Sequence, residues 1–198
     1  GDVGSSEDGL TGKIFGGGRG QKTVVNTANV YLQNGTVYGN VYGGSGFGQV
    51  GSATVTAKET EGSSKVQILG DVFGAGYGVA SSVEKAEVNV NLKLSVVTDD
   101  DQTGDVKVTE ELKSSEDKSG ESKAGAEWLN GNTYRDGSYI AGNVFGGGDM
   151  GQVGKGYING STNTAVIEQG GTTDVTVASG YIHGNVFGGG NGQPDGTD

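Results

Sequence analysis

The sequence predicts an all-β fold of the repeat type: a β-solenoid, specifically a right-handed parallel β-helix. It is read as a single domain over residues 1–198 with one acidic hairpin-and-loop insertion at 99–136. Three observations carry this expectation. A glycine-terminated motif recurs: Tyr-Ile-Ala-Gly-Asn-Val-Phe-Gly-Gly-Gly at 139–148 returns as Tyr-Ile-His-Gly-Asn-Val-Phe-Gly-Gly-Gly at 181–190. Self-similarity of this kind is the mark of a repeat architecture. Between the glycines, Val, Ile, Thr and Tyr alternate with polar residues at a period of two, the pattern of strands. Finally, no 3.6-residue apolar stripe is visible, which excludes a helical solenoid.

Composition agrees. Glycine makes up 42 of 198 residues with a single proline and no Gly-X-Y period, so collagen is excluded. Glycine-rich, weakly hydrophobic chains tend to disorder, but here the glycines punctuate strands rather than fill linkers.

Taken in order, the chain opens on a clipped motif, Gly12-Lys13-Ile14-Phe15-Gly16-Gly17-Gly18. A polar, β-branched strand from Thr23 to Gln33 follows and turns at Asn34-Gly35, a pair suited to positive φ. Looser copies then run Thr36–Gly44 and Gln67–Ala75. Lys85–Thr98 is the longest strand pattern, with Val88, Val90, Leu92, Leu94 and Val96 on one face. The acidic stretch 99–136 interrupts the repeat as a hairpin from Leu94 through Val108 and a solvated loop, with Trp128 pinning its far end. A second polar strand, Thr173–Gly180, precedes the last copy, and Asn191–Asp198 reads as a fraying end. A partial copy, Tyr157-Ile158-Asn159-Gly160, is expected to open a coil of its own between the two full motifs.

Alternation sets the facing. One parity carries Val37/Val41, Ile68/Val72, Ile140/Val144 and Ile182/Val186, the natural interior. The other carries Tyr42, Phe73, Phe145 and Phe187. A corner at the Gly-Asn step would reset the parity and bury these rings, whereas an outward setting would leave an apolar ladder exposed, which is uncommon on a monomer. Set outward beside Asn40, Asp71, Asn143 and Asn185, they would form a stripe able to stack on sugars. Tyr42, Phe73, Phe145, Phe187 and Trp128 are therefore the candidate ligand-binding residues.

Candidate chemistry is sparse. Asp99, Asp101, Asp105 and Glu110 match positions one, three, seven and twelve of a calcium loop, making Ca2+ the one cofactor worth testing. Thr103 at the fifth position and Lys107 at the ninth depart from it, and an acidic hairpin turn accounts for the pattern equally. The glycine arcs lack the aspartate of calcium-binding nonapeptides, with Lys22 and Gly48 in its place. No arc leads into a helix, so a phosphate cradle is excluded too. His183 is the sole histidine and falls where other copies hold Tyr38, Leu69 and Ala141, a tolerant position rather than a catalytic one. Asp71, Asp149 and Glu168 form no evident acid pair, and the chain is not expected to be an enzyme. The alternative is a polysaccharide-degrading β-helix enzyme, a lyase or glycosidase.

The chain has no cysteine and a net charge of -11, which argues against nucleic acid and anionic membranes as partners. No apolar run reaches bilayer length and no signal peptide is recognised; a start without Met reads as a fragment.

The repeated x-Ile-x-Gly-Asn-Val-Phe-Gly-Gly-Gly, preceded by a Thr/Val strand ending in glycine, resembles the glycine-rich repeats of large adhesin-like surface proteins of Gram-negative gut bacteria. The likeness covers most of the chain outside 99–136 and implies a secreted or cell-surface location. The implied role is structural or adhesive, with a glycan or a surface protein as partner. Uncapped coils would also invite end-to-end self-association.

Overall fold

The computed structural model describes residues 1–5, 12–60, 64–93 and 138–192. The fold is all-β; among the described residues there is no helix. Among the described residues fifteen strands form three sheets. The aromatic sheet contains β1 (Ile14–Phe15), β4 (Val41–Tyr42), β7 (Val72–Phe73), β10 (Val144–Phe145) and β15 (Val186–Phe187). The aliphatic sheet contains β3 (Gly35–Val37), β6 (Val66–Ile68), β9 (Tyr139–Ile140) and β14 (Tyr181–Ile182). The long sheet contains β2 (Val24–Leu32), β5 (Gln49–Ala57), β8 (Ser82–Asn91), β11 (Gln152–Asn159), β12 (Thr164–Gly170) and β13 (Thr172–Ser179).

The chain visits the sheets in a constant order: aromatic, long, aliphatic, aromatic again. Each circuit lays its strands beside the previous ones in parallel, without a slip between motif copies. Val41 meets Ile14 and Val72, and Val144 meets Val72 and Val186. Ala28, Ala53 and Ala86 align across the long sheet, as do Val30, Val55 and Val88. Identical side chains thus recur at one height, and the inward ones form a continuous core from Val30 to Val144. A one-residue slip would turn that whole set outward, which is why alternation specifies the register.

The Gly-Asn step is a corner. Val37 and Val41 stand on either side of it, in different sheets, and both enter the same core. The chain turns here, so both parities of the motif find cover. Asn34-Gly35 also turns as expected, with Gly35 at φ 111°.

At Tyr157 the structure corrects the sequence reading. Tyr157-Ile158-Asn159-Gly160 opens no circuit; it belongs to an antiparallel hairpin, β11–β12, inserted into a long strand. β11 follows β8 only at Gln152 and Val153. The chain then leaves, and β13 resumes the pairing on β8 from Thr172 onward. The gap is closed by Gly171 N–H donating to Val153 O at 3.2 Å. The departure point is where Val83 and Ala86 both face inward with Glu84 and Lys85 between them, a break in alternation that β5 repeats at Val50 and Ala53 and β2 at Val25 and Ala28. The residues Leu94 and Val96, the 94–108 hairpin and the acidic insertion lie outside the described residues.

Candidate functional site

The rings of Phe15, Tyr42, Phe73, Phe145 and Phe187 form one face-to-face column. Successive centroids are 4.8, 5.0, 4.8 and 4.9 Å apart, with the planes within 11° of parallel. This spacing is the distance between neighbouring strands, so the sheet itself sets it. Tyr42 and Phe73 are fully buried and Phe145 is 7% exposed. Tyr77 covers the column edge-on, 5.7 Å from Tyr42, and Phe47 packs against Tyr77 in turn. The Lys13 ammonium sits 5.1 Å from the Tyr77 ring centroid. Of the candidate ligand-binding rings, Tyr42, Phe73 and Phe145 are set inward and offer no surface for a sugar, whereas Phe187 is 44% exposed. The rings of neighbouring circuits and Tyr77 supply this cover, which the alternation pattern does not contain.

Beside the column runs an amide ladder. Asn40 Oδ1 accepts the Asp71 N–H at 3.0 Å, Asp71 Oδ1 accepts the Asn143 N–H at 2.6 Å, and Asn143 Oδ1 accepts the Asn185 N–H at 2.9 Å. Asn143 Nδ2 also donates to Asp71 Oδ1 at 3.1 Å. Asp71 is thus a rung of a structural ladder. Asp149 is similarly engaged: its Oδ2 accepts from the Tyr42 hydroxyl at 3.1 Å and its Oδ1 from Asn191 Nδ2 at 3.2 Å. Asn40 Nδ2 donates to the same Tyr42 hydroxyl at 3.1 Å. Burial drives the Tyr42 hydroxyl well above the ordinary tyrosine range; the Asn40 hydrogen bond opposes this and the Asp149 charge adds to it. Tyr139 is pushed up to about 12, first by burial and then by Tyr38.

Glu168, the third carboxylate considered for catalysis, is exposed on β12. His183 is exposed, its ring 6.5 Å from that of Tyr181. Among the described residues no three His, Cys, Asp or Glu side chains converge on a metal position. Asp99, Asp101, Asp105, Glu110 and Trp128 lie outside the described residues.

The feature that sequence reasoning missed is a cleft. The β11–β12 hairpin bends over the outer face of the long sheet and encloses about 140 Å³ with it. Its polar wall includes Asn26, Gln49, Ser82, Glu84 and Lys155, and Val24 adds an apolar side. Gln49 Nε2 donates to Gly156 O at 2.7 Å and Gln152 Nε2 to Ala165 O at 2.8 Å, tying the hairpin down. Amides, a carboxylate and an ammonium around a small solvent-open space suit a small polar ligand rich in hydroxyls. The one sequence signal for it is the misfit partial motif at Tyr157.

These features define an all-β protein with a buried aromatic column and a small polar cleft under the β11–β12 hairpin. No family model, no curated protein and no solved structure matches the chain. Among the described residues no helix is long and apolar enough to cross a membrane.

Proposed function

We propose that the chain is a β-solenoid, a right-handed parallel β-helix, serving as a structural and adhesive module of a secreted or cell-surface protein. The observation that supports this reading is the in-register repetition of one circuit, with ring upon ring and amide upon amide through five heights of the aromatic sheet. Parallel strands joined by crossovers are right-handed in nearly all proteins, which gives the hand. A stack of this kind is stabilised by contacts between neighbouring layers, so its outer loops can be elaborated without disturbing the core. The β11–β12 hairpin is one such elaboration. Asp71 and Asp149, two of the carboxylates weighed for a lyase or glycosidase, are engaged in hydrogen bonds within the stack.

Within adhesion, the ligand class that fits is carbohydrate, held at the hairpin cleft and not on the buried rings. Asn26, Glu84 and Lys155 line that cleft with hydrogen-bond donors and acceptors. A glycan-array screen of the intact protein tests this directly, with an Asn26→Ala/Glu84→Ala double variant alongside. A glycan bound by the parent and lost in the variant supports the reading. A blank array for both removes sugar binding and leaves a stalk.

A further inference from the structure

We infer that Asn159, at the tip of the β11–β12 hairpin, is a modification site: its carboxamide cyclises onto the Gly160 nitrogen and deamidates in the folded protein, whereas the like pair Asn34-Gly35 is protected. The inference concerns the covalent chemistry of the hairpin and is independent of what the cleft beneath it binds.

The reaction needs an asparagine followed by a residue whose backbone nitrogen can reach the side-chain carbonyl carbon. Glycine is the most permissive such residue, with no Cβ to obstruct the approach and a backbone free to rotate. The chain has Asn-Gly pairs at Asn34, Asn130, Asn159 and Asn191. Asn130 lies outside the described residues, and Gly192 borders undescribed ones. Asn34 and Asn159 are described on both sides, and the fold treats them in opposite ways.

Asn159 closes the hairpin opposite Thr164, and residues 160–163 form the turn. Asn163 N–H donates to Asn159 O at 2.7 Å. The Asn159 side chain folds back over the Gly160 peptide: its Oδ1 accepts the Ser161 N–H at 2.9 Å and the Thr162 N–H at 3.4 Å. Such an Asx turn holds the carboxamide beside the nitrogen that must attack it. The two donors also point at the oxygen on which negative charge builds during the attack, as in an oxyanion hole. The nucleophile itself is unengaged, since Gly160 N–H has no acceptor among the described residues. Gly160 is exposed, its φ is not positive, and a Cβ there would meet nothing within 4 Å. Neither conformation nor packing requires glycine here; its effect is to leave the nitrogen open.

Asn34-Gly35 presents the same dipeptide closed. Gly35 N–H donates to Lys65 O at 2.7 Å where β3 pairs with β6. Gly35 sits at φ 111°, and a Cβ there would strike Gly1 O. For this nitrogen to attack, its hydrogen bond must break and the residue must leave the sheet, so the reaction waits on local opening. The third residue is a hydroxyl residue in both cases, Thr36 and Ser161, so only the fold separates the two pairs.

The atoms balance with water as the sole co-reactant. Gly160 N loses its proton and bonds to Asn159 Cγ; the Cγ–Nδ2 bond breaks, and Nδ2 leaves as ammonia carrying that proton. Water then opens the succinimide ring. Opening at Cγ leaves an aspartyl residue, and opening at the main-chain carbonyl leaves an isoaspartyl residue whose chain runs through Cγ. In the second form Asn159 O belongs to a pendant carboxylate, so Asn163 N–H loses its main-chain acceptor and the turn loosens. The hairpin so affected is one wall of the cleft.

Ageing the intact protein in alkaline buffer tests this, with peptide mapping by mass spectrometry and enzymatic methyl labelling of isoaspartate. Asn159 should convert about tenfold faster than Asn34, the factor that one ladder hydrogen bond supplies. In denaturant the two rates should converge. Gly160→Val has open space for its side chain, so it should keep the parent's melting temperature while silencing conversion at Asn159. Should that variant misfold, the folded-against-denatured comparison of the parent decides alone. Hydrogen exchange in the aged parent should quicken across β11 and β12 and stay unchanged in β5. An Asn159 that stays intact in the folded protein, or converts no faster than Asn34, overturns the proposal. Unchanged exchange after conversion overturns the loosening of the hairpin. The glycan reading fails or stands separately, on the array.

Discussion

At the scale of single residues, position in the column decides what a side chain contributes. Phe73 is sandwiched between Tyr42 and Phe145 and fully buried, so Phe73→Ala leaves a cavity and removes two ring contacts. A cost of about 3–5 kcal/mol is expected from such a truncation. Phe187 has one ring neighbour among the described residues and is nearly half exposed, so Phe187→Ala should cost less than about 1.5 kcal/mol, the upper worth of one aromatic pair. Chemical denaturation of the two variants against the parent measures the difference, and equal losses would mean that the column does not end at Phe187. The tyrosines set an alkaline limit. Tyr139 ionises near 12 in the fold against an ordinary 10.0. The neutral hydroxyl is thus favoured by folding, and its contribution is complete below pH 10 and lost as pH climbs toward 12. Stability should therefore fall through that window, and Tyr139→Phe should flatten the fall. A pH series of thermal melts reads both curves.

At the scale of elements, the β11–β12 hairpin is an excursion from a strand that continues without it. Val153 O and Gly171 N already stand 3.2 Å apart, and β13 pairs with β8 as if it followed β11 directly. Excising residues 154–170 and joining Val153 to Gly171 should therefore keep the β-sheet circular dichroism signal and shift the melting temperature by only a few degrees. The same excision removes one wall of the cleft, so a glycan bound there should be lost. A collapsed melt would instead show that the hairpin holds the long sheet together. The partial motif at Tyr157 misled the sequence reading for an instructive reason. Gly-Tyr-Ile-x-Gly is as good a local signal for a tight hairpin as for a corner, and only pairing partners distinguish them.

At the scale of the molecule, stability is expected to be graded rather than uniform. Layers with neighbours on both sides bury their backbone hydrogen bonds, while the last described layer has described neighbours on one side only. Hydrogen exchange read by mass spectrometry should find β5 and β8 slowest and β13 to β15 fastest. The central strands Val50–Ala57 and Val83–Val90 are inward-facing and closed to solvent at Ala53, Val55, Ala86 and Val88, whereas Val177 and Val186 are not. Uniform protection from end to end would mean that the far face is covered in solution.

Much of this was legible in the chain alone. The all-β class, the parity of Val37, Ile68 and Ile140, the turn at Asn34-Gly35 and the equivalence of the motif copies all follow from residue type and spacing. Such properties are local, or repeat so often that each copy reports on the others. The buried setting of Tyr42 and Phe73 was open in the sequence, because it depends on Tyr77 and the rings of neighbouring circuits closing over them. The cleft was not legible, since Asn26, Glu84 and Lys155 become neighbours only when three distant segments are laid side by side. Nor did Gly188 differ in the sequence from Gly146; only the stack shows that one is crowded by the next layer and the other is not crowded by any described residue. Alternation and glycine placement determine which residues face inward and where the chain turns. Long-range packing decides what lies against them, because contacts between circuits are made across tens of residues that no local pattern spans.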